Sequence, residues 1–102
     1  MPRRIIVLPE ARAQFDAIYD KIAGAATPDI ARRFTDGIAS HLDTLADYPR
    51  IGTPRDDLRA GLRTLVHRRR VTIAFVVEPA VVVVIGFFYA GQDVEGLLRD
   101  DH

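Results

Sequence analysis

A run of apolar residues from Ala80 to Phe88, A-V-V-V-V-I-G-F-F, constrains the fold of this chain more than any other feature. Valine, isoleucine and phenylalanine favour the pleated surface of a β-strand. At about nine residues the run is too short to cross a bilayer as a helix, which takes roughly 20. Because the run is apolar on both faces, it predicts a strand that is central in its sheet or covered on both sides.

A second β-branched run, Val71–Val77, precedes the first one along the chain. The β-branched and aromatic residues of the two runs, Val71–Val77 and Val81–Phe88, are separated by Glu78-Pro79-Ala80, and a break of this length with proline at its centre predicts a hairpin turn. Gly86, inside the apolar run, indicates a β-bulge or a close approach of other atoms. Upstream, Leu62–His67 predicts a further strand, which Arg68–Arg70 connect tightly to Val71.

The first half of the chain predicts one short strand and two helices. Residues 3–8 are expected to form an edge strand, because the segment is brief and begins with charges. Pro9 begins a helix that extends to about Ala23, and Thr27 caps a second helix that ends near Asp47 or Tyr48. The apolar positions at helical spacing are Ala11, Phe15, Ile18 and Ile22 in the first helix and Ile30, Phe34, Ile38, Leu42 and Leu45 in the second. Two such stripes predict an antiparallel helical hairpin that packs on the sheet.

Residues 49–61 contain two prolines and two glycines and predict a long loop, of the kind that often carries function. In the tail, Val94, Leu97 and Leu98 are expected to form one helical turn or a last strand on the core, with Asp93 as the cap of such a turn. The order is therefore β-α-α-β-β-β. It predicts an α+β fold in two layers, a helical hairpin on a mostly antiparallel sheet, as a single domain over residues 1–102.

Composition limits the class of protein further. The 102 residues include no cysteine, which excludes disulfides, thiolate metal sites and a cysteine nucleophile. Only four apolar residues follow the basic N-terminus, whereas a secretory signal needs roughly 7–15. We therefore expect a cytoplasmic protein without a membrane segment. The three histidines lack ligand spacing, so neither a metal nor a cofactor is expected, and His41 is expected to lie on the flank of its helix.

Arginines are concentrated in one part of a chain whose formal net charge is zero. Half of the 14 basic residues fall in one segment, namely Arg50, Arg55, Arg59, Arg63, Arg68, Arg69 and Arg70. A basic region on a neutral protein indicates an acidic partner or phosphate contact at one face, or simply a solvated surface. The zero net charge argues against general nucleic-acid binding. On the second helix, Asp29 with Arg33 and Arg32 with Asp36 have the spacing of surface ion pairs.

The residue types that could catalyse a reaction are few. Ser40, the only serine, lies in the middle of a helix, and no glycine-rich phosphate loop is present. The remaining candidates for RNA cleavage are Arg63 and Arg70, which could hold phosphate, and His67 or Tyr89, which could transfer a proton. The same arginines could equally bind acidic residues of a protein partner.

Four segments together carry a resemblance to a known family. They are I-I-V-L-P-E-A-R-A-Q-F-D-A-I-Y-D-K-I-A from Ile5, L-A-D-Y-P-R-I-G from Leu45, P-R-D-D-L-R-A-G-L-R from Pro54, and F-Y-A-G-Q-D from Phe88. In this order and spacing, the chain resembles the RelE/ParE superfamily of bacterial type II toxins over nearly its whole length. The loop and the final segment are most similar to the ParE branch.

The resemblance implies a toxin that is neutralised by a cognate, partly disordered ParD-like antitoxin whose helix lies in a groove, in modules known for plasmid stabilisation. For the ParE branch it implies inhibition of DNA gyrase by binding, without catalysis. For the RelE branch it implies ribosome-dependent cleavage of mRNA, which remains the alternative. The chain departs from the family pattern at Arg68–Arg70, where a single arginine commonly leads the strand, and its only lysine, Lys21, lies on the first helix.

Overall fold

A computed structural model of the chain describes residues 2–90 and 92–99. Its elements are β1 (Arg4–Val7), α1 (Pro9–Ala25), α2 (Pro28–Asp47), β2 (Thr53–Pro54), β3 (Leu62–His67), β4 (Val71–Val77), β5 (Val81–Tyr89) and α3 (Val94–Leu98). Of the predicted F-Y-A-G-Q-D segment, Gly91 lies outside the described residues. Among the described residues, no helix is both long and apolar enough to span a membrane.

The strands form one sheet in the order β1-β5-β4-β3-β2. β1 runs parallel to β5, and all other neighbours are antiparallel. The predicted α+β architecture, a helical hairpin on a mostly antiparallel sheet, is confirmed. β1 lies at an edge, and β5 lies between β1 and β4, as their sequences predicted.

Both long helices begin at proline, which is compatible with the first helical position because it has no N–H to leave unpaired. Thr27 caps α2, where its hydroxyl accepts a hydrogen bond from the N–H of Ile30 at 3.1 Å. α1 extends to Ala25, two residues beyond the predicted end, because Gly24 continues the helix. A mid-helix glycine weakens a helix without ending it.

The sheet is covered on both faces, which explains why β5 is apolar throughout. On the helix face, α1 and α2 bury a core around Ile38, Ile73 and Phe75. On the opposite face, a smaller cluster consists of Leu58, Leu62, Ala74, Phe88 and Leu98. The segment between β2 and β3 contributes Leu58, and α3 contributes Leu98. The prediction from the apolar run is therefore confirmed.

Gly86 marks a β-bulge, as expected. Ala74 pairs with Gly86 but Phe75 pairs with Val84, so that Ile85 is the extra residue in β5. A Cβ atom at Gly86 would lie 2.5 Å from the ring of Phe88. Glycine here therefore allows Phe88 to reach the second cluster.

The prediction for the loop needs correction, whereas the helical alternative predicted for the tail is confirmed. The loop 49–61 contains β2, a two-residue edge strand that pairs with Thr64 and Arg63, so the described residues form a sheet of five strands and not four. A strand this short has no periodic pattern in the sequence. Of the two alternatives for the tail, the helical turn forms as α3, and Asp93 caps it as predicted by accepting a hydrogen bond from Gly96 N–H at 3.1 Å. Leu98 is buried there, but Leu97 is exposed to solvent.

Candidate functional site

The connection between β3 and β4 is a tight turn built from arginines. Arg68 and Arg69 both have positive φ, 50° and 60°. The turn closes with a hydrogen bond of 3.0 Å from the N–H of Arg70 to the carbonyl of His67. Positive φ at both central residues defines a type I′ turn, which matches the right-handed twist of a hairpin.

Arginine at the two central positions of this turn is energetically unfavourable. Asn-Gly and Asp-Gly are the favoured pairs in type I′ turns, because a longer L side chain is strained in the left-handed region. Arg68 and Arg69 are both exposed, so burial of their side chains does not offset that strain. Strained conformations of this kind concentrate at functional sites. The turn is therefore the first candidate for a functional element.

A groove beside the turn joins these arginines to α2. It has a volume of about 620 Å³ and is lined by Ile30, Arg33, Phe34, Arg68 and Arg70. We call these five residues, together with Arg69, the arginine groove.

Within the described part of the chain, the arginines of the arginine groove have no carboxylate within 4 Å. The ion pairs within 4 Å among residues 2–90 and 92–99 are Arg12–Asp16, Arg55–Asp57 and Arg55–Glu95. The pairs predicted on α2, Asp29–Arg33 and Arg32–Asp36, do not form. An exposed pair of that kind is worth only about 0.3–0.5 kcal/mol, so the helix does not depend on it.

A pair of histidines lies next to the β3–β4 turn, between the sheet and α2. His67 is buried, and its Nδ1 lies 3.1 Å from Nδ1 of His41 on α2. A Cβ atom at Gly37 would lie 3.3 Å from the His67 ring and 3.9 Å from the Arg68 guanidinium, so glycine lets the turn approach the helix closely. His41 thus packs across the two layers and is more than the helix-flank residue that its position predicted.

Burial lowers the pKa of His67 below its ordinary value of 6.5, and the charges of His41 and Arg68 lower it further. An unfolded chain therefore takes up a proton at His67 at higher pH than the folded one does. The free energy of unfolding is expected to fall as the pH drops through about 6.5 and to keep falling until the folded histidine is protonated. The melting temperature, measured from pH 7.5 to pH 5.5, should decrease.

His67→Gln should flatten this pH dependence, because the titrating group is gone. His41→Gln is the matched control. It leaves His67 buried, and burial is the main cause of the shift, so most of the pH dependence should remain. A slope that persists unchanged in His67→Gln would contradict this assignment.

The other predicted arginines do not lie at the arginine groove. Arg63 and Arg68 are near opposite ends of β3, about 17 Å apart along a strand. Arg55 is bound by Asp57 and Glu95, and these hydrogen bonds raise its pKa while Arg55 lowers the pKa of Asp57. Arg59 is partly buried, and its Nε has no hydrogen-bond partner among the described residues. Arg50 is exposed in the loop.

Arg63 holds the loop that precedes β2. Its guanidinium donates hydrogen bonds to the carbonyls of Arg50, Ile51 and Gly52, the second of them at 3.3 Å. Arg63→Lys is expected to lower the free energy of unfolding by about 1–3 kcal/mol, because an ammonium cannot reach all three carbonyls in this planar arrangement. Urea unfolding measures the change.

Arg50→Lys is the control for that experiment, since the Arg50 side chain is exposed. It should change the free energy of unfolding by less than about 0.5 kcal/mol. If the two lysine variants were equally stable, Arg63 would not be the anchor of the loop.

The candidate nuclease residues are only partly brought together. His67, Val71 and Tyr89 lie in one row across three strands. The Phe34 ring packs edge-on against both of these candidates, with its centre 5.4 Å from that of the His67 ring and 6.5 Å from that of the Tyr89 ring. Arg70 leads β4 at the same end of the sheet, whereas Arg63 is at the other end.

Tyr89 instead borders a separate, smaller pocket of about 220 Å³ between α1 and β5. The Lys21 ammonium lies 5.3 Å from the centre of its ring. Gln14 and Gln92 fix this strand end by accepting hydrogen bonds from the N–H groups of Phe87 and Tyr89, at 2.9 and 2.7 Å.

Reasoning from the sequence missed four members of this region: Ile30, Arg33, Phe34 and Gly37. Three of them were assigned to the apolar stripe or to surface ion pairs. Gly37 had a usable signal, because glycine in a helix interior costs about 1 kcal/mol relative to alanine and so indicates a close contact. Its contact partner, the β3–β4 turn, is 30 residues away in the chain and could not be identified from that signal.

The fold and the arginine groove define a small α+β protein with an exposed basic surface. Comparison with known families identifies it further. Residues 5–94 match the sequence profile of the ParE toxin of the type II toxin-antitoxin system parDE, so the chain belongs to the ParE toxin family and is a ParE-like type II toxin.

Solved structures agree with this fold. A structure described as the chromosomal ParDE TA system from P. aeruginosa superposes with a TM-score of 0.75 at 23% sequence identity. The match covers 85% of this chain and 95% of the other chain. A comparison with curated protein sequences gives no significant match.

Proposed function

We propose that this toxin acts in the cytoplasm by binding DNA gyrase and trapping its cleaved-DNA state, and that it does so without catalysing a reaction. The observation that carries this proposal is the match of residues 5–94 to the ParE toxin family. The arginine groove supports it, because the groove offers charge for recognising another macromolecule.

The distribution of the candidate catalytic groups also favours a binding mechanism. The Arg63 guanidinium already donates hydrogen bonds to three backbone carbonyls. His67 is buried, and its Nδ1 is directed at His41. A general acid or base needs hydrogen-bond access to its substrate, which a buried imidazole lacks. Tyr89 is half-buried, and its ring and that of His67 both pack against Phe34.

We further propose that a cognate antitoxin neutralises the toxin. The structural neighbour from P. aeruginosa is described as a ParDE toxin-antitoxin system, which supports a partner of the ParD type. A partly disordered antitoxin that folds on binding would cover a large surface of a small toxin with an amphipathic helix laid into a groove.

A supercoiling assay tests the gyrase proposal. Purified toxin at increasing ratio to gyrase should inhibit supercoiling of relaxed plasmid and accumulate linear DNA after detergent and protease treatment. Topoisomerase I, assayed with the same toxin, is the control and should keep its activity. Gyrase that remains fully active at high toxin excess would refute the proposal.

A translation assay addresses the RelE alternative in parallel. Translating ribosomes with toxin should leave mRNA intact if the toxin acts on gyrase. Discrete cuts that disappear in Tyr89→Phe would favour the ribosome-dependent nuclease instead.

A further inference from the structure

We propose that the arginine groove is the docking site for an acidic, amphipathic segment on the protein that this toxin inhibits. The inference rests on the proposed function only in that the toxin acts by binding a protein. It assigns the recognition to Arg33, Arg68, Arg69 and Arg70, with Ile30 and Phe34 as the apolar part of the site.

Charge is the first argument for an acidic ligand. The four arginines are exposed, and none of them has a carboxylate within 4 Å among the residues that the structure describes. The whole chain carries as many acidic as basic residues, so the groove is a local excess of positive charge. Guanidinium groups bind carboxylates through paired, parallel hydrogen bonds, and such pairs are stronger and more specific than those of neutral groups.

The apolar residues of the groove favour a peptide over a nucleic-acid backbone. Ile30 is 46% exposed although it lies in the first turn of α2, and it is one of the few large apolar side chains left in solvent among the described residues. A phosphate backbone gains nothing from isoleucine, whereas a peptide with apolar residues between its carboxylates would cover it. Phe34 also lines the groove and adds an aromatic surface to it.

The strained turn is the second, independent argument. A type I′ turn of Asn-Gly would close the same hairpin without left-handed arginines. Arg68 and Arg69 form no hydrogen bond or ion pair through their side chains within the described residues, so no such interaction offsets the backbone strain. Proteins retain strain of this kind where it serves function, at a cost in stability.

The groove suits a short segment of a folded target better than an antitoxin. It is formed by one helical turn of α2 and one β-turn, so it can hold only a few residues of a partner. An antitoxin that folds on the toxin covers a long surface and would not depend on so compact a site. A target that presents an acidic segment on its own fold would be recognised there with little ordering cost.

The decisive variant is Arg68→Asn combined with Arg69→Gly. Relief of the left-handed strain should raise the melting temperature by a few degrees, because Asn-Gly is the favoured pair for this turn. Growth arrest after induction without antitoxin should be lost, because half of the arginines of the groove are gone. The combination of a more stable fold and lost toxicity cannot result from misfolding.

The matched control removes two exposed arginines elsewhere, Arg4→Gln combined with Arg50→Gln. It lowers the net charge by the same amount and should leave growth arrest unchanged. Full toxicity in the Asn-Gly variant, or equal loss in the control, would overturn the docking proposal.

A binding measurement identifies the ligand chemistry. Wild-type toxin should bind a fluorescein-labelled synthetic peptide of alternating glutamate and leucine, and the Asn-Gly variant should bind it at least about tenfold more weakly. A peptide of alternating glutamate and serine should bind more weakly than the glutamate-leucine peptide, because it cannot cover Ile30. Equal binding of the two peptides, or preferential binding of a DNA duplex of similar charge, would overturn the proposal.

The source of the segment is tested separately from the gyrase proposal. If the Asn-Gly variant loses growth arrest while wild-type toxin leaves gyrase active, gyrase is not the target but the docking site stands. If the variant keeps growth arrest and instead loses its affinity for the antitoxin, the groove serves neutralisation and the proposal is overturned.

Discussion

Phe75→Ala is expected to lower the free energy of unfolding by about 3–5 kcal/mol, the usual cost of removing a buried phenylalanine. Phe75 is completely buried in β4, between β3 and β5, and belongs to the core on the helix face. The loss combines the transfer free energy of the ring with the cost of the cavity left behind. Because β4 is paired with a strand on each side, the backbone cannot move in to fill that cavity. A domain of this size often has only 5–15 kcal/mol of stability in total.

Thermal unfolding followed by circular dichroism measures this effect. The melting temperature should fall by about 12 °C or more. Val66→Ala is the matched control on the neighbouring strand, because Val66 is 55% exposed and should lose less than about 1 kcal/mol. Comparable losses in the two variants would mean that the helix-face core is not the main source of stability.

Leu62→Ala should be nearly as damaging, with an expected loss of about 2–5 kcal/mol. Leu62 is fully buried on the opposite face of the sheet, in the cluster with Leu58, Phe88 and Leu98. It also joins the loop to β3, because its N–H donates to the Arg59 carbonyl and its carbonyl accepts from Arg55 N–H. Because the Leu62 side chain is buried in this cluster, its substitution tests how much the cluster contributes to the free energy of unfolding.

Urea unfolding is the appropriate measurement here, since the slope with urea reports any change in the surface exposed on unfolding. Leu97→Ala in α3 is the control, because Leu97 is 56% exposed and its neighbour Leu98 is buried. If Leu62→Ala and Leu97→Ala had equal, small effects, the cluster on this face would contribute little, and the apolarity of β5 would need another explanation.

These stability effects are separate from the proposed activity. Phe75 and Leu62 are buried and do not line the arginine groove, so their substitutions should reduce activity only as far as they reduce the folded population. The Asn-Gly exchange at Arg68 and Arg69 should do the opposite, with higher stability and lower toxicity. Variants that change stability and activity in opposite directions are the clearest sign of a binding surface.

The architecture could be predicted from the sequence because each element carries its own local signal. The apolar stripes of α1 and α2 repeat at helical spacing, and Pro9, Thr27 and Pro28 mark the helix starts. The β4–β5 hairpin follows from two β-branched runs around Pro79, and Gly86 indicated the bulge. The two-residue β2 was missed because its pairing depends on a contact between distant residues. Arg63 lies on the next strand, β3, and its side chain donates hydrogen bonds to the loop that precedes β2.

The arginines show where sequence reasoning reaches its limit. Seven of them in one segment predicted one basic region. However, Arg63 lies near the start of β3 and Arg68 directly after its end, and Arg55 is neutralised by Asp57 and Glu95. Arg33, assigned to a helix-surface ion pair, lines the same groove as Arg68 and Arg70. Position along the chain does not decide which charges share a surface, because that depends on how α2 packs against the β3–β4 turn.

The sequence by itself determined the class of fold, the covered strand β5 and the family resemblance, because periodicity, capping and motif order are local properties of the chain. Only the tertiary structure decided which arginines of residues 2–90 and 92–99 have a carboxylate within 4 Å in that part of the chain. It also decided that Gly37 admits His67 and Arg68 against α2, and that Arg68 and Arg69 adopt left-handed conformations. These features arise from contacts between residues about 30 positions apart and from the twist of a hairpin, and neither is encoded by neighbouring residues alone.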